Sequence, residues 1–157
     1  MLETKVKERT HELHLESQKS ERLMLNILPQ SIATRLKAGD DSISDSYQNA
    51  TILFSDLVGF TKMSSSKTAE ELVFLLNDLF KRFDTRATSL GLEKIKTIGD
   101  AYMVAGGLPT NDDEHAIRVT KMALGMYEDL EAFNKEHGME LDMRIGINSG
   151  PVVAGVI

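Results

Sequence analysis

Two carboxylates stand where carboxylates can work. Asp56 follows the apolar run Ala50-Thr-Ile-Leu-Phe-Ser55 and precedes Leu57-Val-Gly-Phe-Thr61. A carboxylate at a strand's end, before a glycine turn into a helix, can hold a divalent cation. The free N–H groups of such a turn can hold phosphate oxygens. Asp100 sits in the Gly99-Asp100 turn between two strand-like runs. Each residue alone is ordinary, because Asp often caps a strand end and Gly-Asp is common turn chemistry. Together they matter if the fold joins them across the 44 positions between them. Mg²⁺ prefers one or two carboxylates plus phosphate oxygens to a full protein cage. A convergent pair beside an amide-lined turn would therefore suit two Mg²⁺ ions carrying a triphosphate, an arrangement that activates an attacking oxygen and stabilises a leaving one.

Other polar side chains could complete or compete with such a site. Lys94 and Lys96 alternate along one strand pattern, so regular pleating puts both on the same side. Arg144 interrupts an apolar strand between Met143 and Ile145, and it needs an anion if buried or a surface partner if not. The histidines, His11, His14, His115 and His137, have no ligand spacing with carboxylates and read as surface residues. Ser149 has no neighbouring His or Asp in sequence to make it a nucleophile. Cysteine is absent from the chain, which excludes disulfides, thiolate metal sites and thiol nucleophiles. The eight methionines are spread over helix faces and read as core filler.

The elements that would position these groups follow from periodicity. The chain has 157 residues, 41% of them hydrophobic, and a net charge of −6, which suits one domain with an appendage. Residues 1–49 carry 7 basic and 8 acidic side chains, and residues 50–157 carry 11 and 16. This diffuse acidity argues against nucleic-acid binding through a basic surface. No apolar run is long enough to span a membrane, and no leader pattern precedes the chain. A cytoplasmic protein is expected, or the cytoplasmic part of a membrane-anchored one.

The first 28 residues have a helical pattern free of Gly and Pro. Steps of 4 and 3 from Leu2 through Val6, Arg9, Leu13, Glu16, Ser20, Leu23 and Ile27 make a heptad seam, weakened at its three polar positions. Pro29 punctuates it, and a short helical face through Ile32, Ala33 and Leu36 closes at Gly39. Residues 40–49 are polar and read as a loop that ends an N-terminal segment. Beyond it the order is strand, helix (69–90), strand (93–98), strand (101–105), helix to about His137 with Asn111 as its cap, and strand (141–147). A turn at Asn148-Ser-Gly-Pro151 and a further strand from Val152 complete the reading. The class is α+β, with the split βαβ, ferredoxin-like order. In that topology the strand ending at Ser55 and a strand of the hairpin are central, so Asp56 and Asp100 can meet.

Four stretches carry a resemblance. Phe54-Ser-Asp-Leu-Val-Gly-Phe-Thr61, Lys94-Ile-Lys-Thr-Ile-Gly-Asp-Ala-Tyr-Met103, Gly106-Gly-Leu-Pro109 and Met143-Arg-Ile-Gly-Ile-Asn-Ser-Gly-Pro-Val-Val-Ala-Gly155 resemble the class III adenylate/guanylate cyclase catalytic domain. Ser20-Glu-Arg-Leu-Met-Leu-Asn-Ile-Leu-Pro29 is similar to the transducer segment that precedes it in many cyclases. The resemblance divides the chain into a signalling helix (1–28), a transducer helix and linker (29–49), and the N-terminal two-thirds of a palm-like catalytic domain (50–157). It implies that Asp56 and Asp100 bind two Mg²⁺ or Mn²⁺ ions with the Leu57 carbonyl. Gly59, Phe60 and Thr61 would hold the triphosphate, and Arg144 would lie near the β/γ-phosphates. Lys96 matches the base-selecting position, Lys in adenylate and Glu in guanylate cyclases, which favours ATP.

The implied reaction is attack of the ribose 3′-oxygen on the α-phosphorus at a head-to-tail homodimer interface, giving cyclic AMP and pyrophosphate. An upstream sensor would act through a parallel dimer of the N-terminal helix. The family's later base-selecting residue and its ribose-orienting Asn and transition-state Arg do not occur in these residues, so the 157-residue chain alone is expected to be inactive. The competing reading is a non-catalytic, cyclase-like dimerisation module. A diguanylate cyclase is disfavoured, because Ile98-Gly-Asp-Ala-Tyr102 is not its Gly-Gly-Asp/Glu-Glu-Phe turn.

Overall fold

The helical run expected over 69–90 begins where its flanking chemistry says it should. Thr68 accepts a hydrogen bond from the Glu71 amide at 3.2 Å, and the Glu71 carboxylate accepts one from the Thr68 amide at 2.8 Å. This reciprocal capping box satisfies two donors that would otherwise be orphaned. A computed structural model describes residues 2–156, with side chains from residue 4; the Leu2 seam position and Ile157 lie outside the described side chains. The elements are α1 (Leu2–Leu25), α2 (Gln30–Lys37), β1 (Ser44–Val58), α3 (Phe60–Ser64), α4 (Ala69–Ser89), β2 (Glu93–Ile98), β3 (Ala101–Gly106), α5 (His115–His137) and β4 (Asp142–Gly155). They fall into two units, residues 2–44 with 155–156 and Asp45–Ala154.

In the first unit, α1 stops at Leu25, three residues short of the sequence reading. A tight turn, with Leu28 N–H donating to the Met24 carbonyl at 2.9 Å, precedes Pro29, which disfavours helical backbone in the residue before it. Pro29 caps α2, and Lys37 ties α2 back to α1 through Glu21 at 2.6 Å. The seam residues Val6, Leu13, Leu23 and Ile27 are all exposed. The Val156 N–H donates to the Ile43 carbonyl at 3.0 Å.

In the second unit the sheet order is β2-β3-β1-β4, with β1 antiparallel to β3 and β3 antiparallel to β2. The split βαβ order is thus realised, with β1 and β3 central. Leu53, Leu57, Tyr102 and Val104 on one sheet face join Leu75, Leu79 and Phe83 of α4 and Val119, Met122, Met126, Leu130 and Phe133 of α5 in a single core. Phe54, Asp56, Lys96, Ile98, Ala101 and Met103 take no part in that core. Arg86 fixes α4 to α5 with a bidentate pair to Asp129, both bonds 2.8 Å.

The structure departs from the local sequence pattern at three places. Residues 44–49 are strand rather than loop, because tertiary pairing and the burial of Tyr47 and Ala50 outweigh their polar composition. Residues 148–151 do not turn; β4 runs through them to Gly155. As an edge strand, β4 tolerates Pro151, which lacks an N–H. The Ser149 hydroxyl also lies 2.7 Å from Thr51 of β1. The cap of α5 is not Asn111. The residue ahead of the helix is Glu114, whose amide donates to Asp112 Oδ1 at 2.9 Å.

Candidate active site

Asp56 lies near the end of β1, opposite Ala101, the first residue of β3. Asp100 is the residue before Ala101, in the two-residue turn joining β2 to β3. Gly99 takes the positive φ (58°) this tight hairpin needs, and Asp100 does not. Antiparallel pairing of the two central strands therefore brings the two carboxyls to one spot, close enough for the charge of Asp56 to act on Asp100. The Asp100 carboxyl is raised above its usual value of 3.8, first by burial and then by the charge and hydrogen bond of Asp56. The backbone dipoles at Asp100 and Leu57 oppose the rise. An Asp100 carboxyl whose ionisation is opposed by burial and by the neighbouring Asp56 carboxylate belongs to a site that a cation would relieve.

The turn after Asp56 is built as its residues suggest. Gly59 is left-handed (φ 84°), and Met63 N–H donates to its carbonyl at 3.0 Å, closing the first turn of α3. The amides ahead of Met63 have no acceptor within that helix. Phe60 and Thr61 open α3, so Gly59, Phe60 and Thr61 sit directly beyond the strand end that carries Asp56.

Arg144 is on β4, next to β1 in the sheet, and donates from Nη2 to Asp56 Oδ2 at 2.5 Å. Its side chain is 75% exposed, so of the two alternatives the sequence allows it takes the surface pair. An exposed pair of this kind contributes roughly 0–1 kcal/mol and is easily exchanged.

The lysines separate, contrary to the regular-pleat expectation. Lys94 is opposite Val104 but Lys96 is opposite Met103, so the register shifts by a bulge between them. Opposed residues share a face and neighbours on β3 alternate. Lys94 therefore points with Val104 toward the helices, and Lys96 points with Met103 to the other face. Lys94 is spent on Asp84 of α4, at 2.9 Å. Lys96 is exposed and, among the described residues, makes no hydrogen bond or ion pair. Phe54 and Met103 are paired, as are Asp56 and Ala101, so Lys96, Met103, Phe54 and Asp56 share one face.

Two histidines are also not simple surface residues. His115 Nδ1 lies 2.6 Å from the hydroxyl of buried Thr51. His137 Nε2 lies 2.9 Å from Asp78 Oδ2, and Asp78, Glu136 and His137 offer ligand atoms within 4.8 Å of one another. Arg82 bonds both carboxylates, so this group is an ionic clasp between α4 and α5. The 59 positions between Asp78 and His137 leave no spacing signal for it in sequence.

Residues 43–157 match the model of the adenylate and guanylate cyclase catalytic domain. The chain belongs to this family. The cyclase segment is 45% identical to bovine (Bos taurus) retinal guanylyl cyclase 1 over 159 residues, covering 99% of the chain and 14% of that protein. It thus spans about one seventh of this relative's length. The guanylyl cyclase domain of the RhoGC fusion protein from the aquatic fungus Blastocladiella emersonii matches at TM-score 0.70 and 36% identity, covering 74% of the chain and 64% of that structure. The adenylyl cyclase CyaB of P. aeruginosa matches at TM-score 0.67 and 27% identity, covering 71% and 60%. Among the described residues no helix is long and apolar enough to cross a membrane.

Proposed function

We propose that these residues are the metal- and nucleotide-binding part of an adenylate cyclase, which converts ATP to cyclic AMP and pyrophosphate. The observation that carries the reading is the meeting of Asp56 and Asp100 at the ends of the two central strands, beside the Gly59 turn. The paired carboxyls fit hard divalent cations, which take oxygen ligands. Asp56, Asp100 and the Leu57 carbonyl would hold two Mg²⁺ or Mn²⁺ ions. Such ions, when bound, lower the pKa of the ribose 3′-hydroxyl and stabilise the departing pyrophosphate.

The chain's own residues do the rest. The amides at Gly59, Phe60 and Thr61 receive phosphate oxygens. Arg144 leaves Asp56 for the β/γ-phosphates, a cheap exchange for an exposed pair. The ribose 3′-hydroxyl gives its proton to solvent water, and its oxygen bonds to the α-phosphorus as the bond to pyrophosphate breaks. Lys96 selects the base: it donates to an adenine ring acceptor and cannot accept from the guanine N–H groups. The family includes adenylyl and guanylyl enzymes on one fold, so the choice rests on this side chain.

We assign residues 1–28 to a signalling helix, 29–49 to a transducer and 50–157 to the catalytic domain. The enzyme works as a homodimer on the cytoplasmic side, under an upstream sensor that shifts the dimer helix through Leu13, Leu23 and Ile27. The test is cyclic AMP and cyclic GMP formation by the full-length protein carrying this segment, with Mg²⁺ and with Mn²⁺. ATP is expected to be preferred, and Lys96→Glu to move preference toward GTP. A wild-type preference for GTP, or an unmoved ratio in the variant, overturns the adenylate reading.

A further inference from the structure

We propose that Asp84 is a positioning residue for base selection, acting through Lys94 to hold the strand bulge that presents Lys96. The inference rests on the reading of Lys96 as the base-selecting side chain. Asp84 is on α4 and touches neither Lys96 nor the paired aspartates in any hydrogen bond or ion pair of the described residues. Its carboxylate instead grips both strands of the hairpin that carries Lys96 and Asp100. Tyr102 of β3 donates to Oδ1 at 2.8 Å, and Lys94 of β2 donates to Oδ2 at 2.9 Å. The Lys94 ammonium also lies 5.6 Å from the Tyr102 ring centre, within cation–π range.

The position of this grip gives it a consequence beyond packing. Tyr102 is fully buried in the core, edge-on to Phe83 with ring centres 5.4 Å apart, so its end of the clamp is anchored by packing. Lys94 is the last β2 residue before the register shift. A bulge leaves one residue unpaired and lets a strand slip, and a one-residue slip turns every later side chain to the opposite face. Lys96 stays on the face of Asp56 only while Lys94 remains opposite Val104 and the extra residue is taken up at Ile95. Among the described residues β2 is at the sheet edge, with β3 as its one neighbour to set its register. The Asp84–Lys94 pair supplies that register from the helix layer. Both side chains are 39% exposed, so the restraint is modest, as suits a strand that must present a side chain without rigidly locking it.

The experiment measures kcat and KM for ATP and for GTP in the full-length protein. Its variants are Lys94→Met, Lys94→Arg, Asp84→Asn and Lys96→Glu, each checked for folding by thermal unfolding. Asp84→Asn keeps an acceptor for Tyr102 but replaces the oxygen that receives Lys94. Lys94→Met and Asp84→Asn are expected to lower the ATP-over-GTP ratio of kcat/KM about two- to five-fold, mostly through KM for ATP. Lys94→Arg, which keeps the charge, should restore most of it. Amide exchange at residues 95–98 should quicken in Lys94→Met. If Lys96→Glu shifts the ratio while Lys94→Met and Asp84→Asn lower ATP and GTP use equally, the positioning role is overturned. Unchanged exchange at residues 95–98 overturns it whichever base is selected. If Lys96→Glu leaves the ratio unmoved, the base-selection reading itself fails.

Discussion

The two faces of the central sheet are made of the same strands and have opposite tasks. On the covered face, Leu53, Leu57, Tyr102 and Val104 are nearly or wholly buried against α4 and α5. On the other, Phe54, Lys96 and Ile98 are exposed, and the charged pair Asp56–Arg144 lies at the surface. In β1 and β3 strand pleating produces this division, since each residue sends its neighbour to the other side. The covered face provides the stability that allows the other to carry like charges side by side. The two meet in β2, where the bulge sends Lys94 to a helix and Lys96 to the site.

If the faces are separable in function, substitutions on them should fail in different measurements. Phe83→Ala, in the covered core, should cost about 3–5 kcal/mol of stability, read from the urea midpoint and slope. A smaller loss, with cyclase activity reduced first, would break the division. Asp56→Asn should do the reverse: a fall of about 10²–10³-fold in cyclic nucleotide formation by the full-length protein, with the unfolding midpoint nearly unchanged. Retained activity would return the site to the non-catalytic dimerisation module.

The smallest effect belongs to the clasp behind the covered face. The Asp78 carboxyl is held below its usual 3.8 by its hydrogen bond to His137 and by Arg82. A depressed carboxyl contributes stability that is complete above its unfolded value and is lost as pH falls through the lower folded value. The stability gap between wild type and Asp78→Asn should therefore be steady from pH 7 to about 5 and close below about pH 4. A gap that widens on acidification would assign the stabilisation to another group.

Much of the fold was legible because it is written in short-range pattern. The 3.6-residue spacing of Leu72, Leu75, Leu79 and Phe83 marks α4 and its buried face. Gly99-Asp100 marks the hairpin, and the strand order follows from the known economy of split βαβ connections. The paired aspartates were legible only through that topology. Four features were not. Polar residues 44–49 became strand, Asn148-Ser-Gly-Pro151 stayed extended, Arg144 found Asp56, and His137 found Asp78. Each depends on a partner from a distant part of the chain, which local propensity does not contain.

The sequence by itself determined the helices, the hairpin, the core-facing residues and the chemistry available: carboxylates, a glycine turn, a lysine and an arginine, with no thiol. It also carried the motifs that place the chain among the cyclases. Only the tertiary structure decided that Lys94 and Lys96 part company. Alternation is a rule of the single strand, and it predicts one side for both. A bulge is a property of the pair, created where β2 must match β3 while Lys94 is held to Asp84. The facing of a side chain in a bulged strand is therefore set by its neighbours across the sheet and behind it.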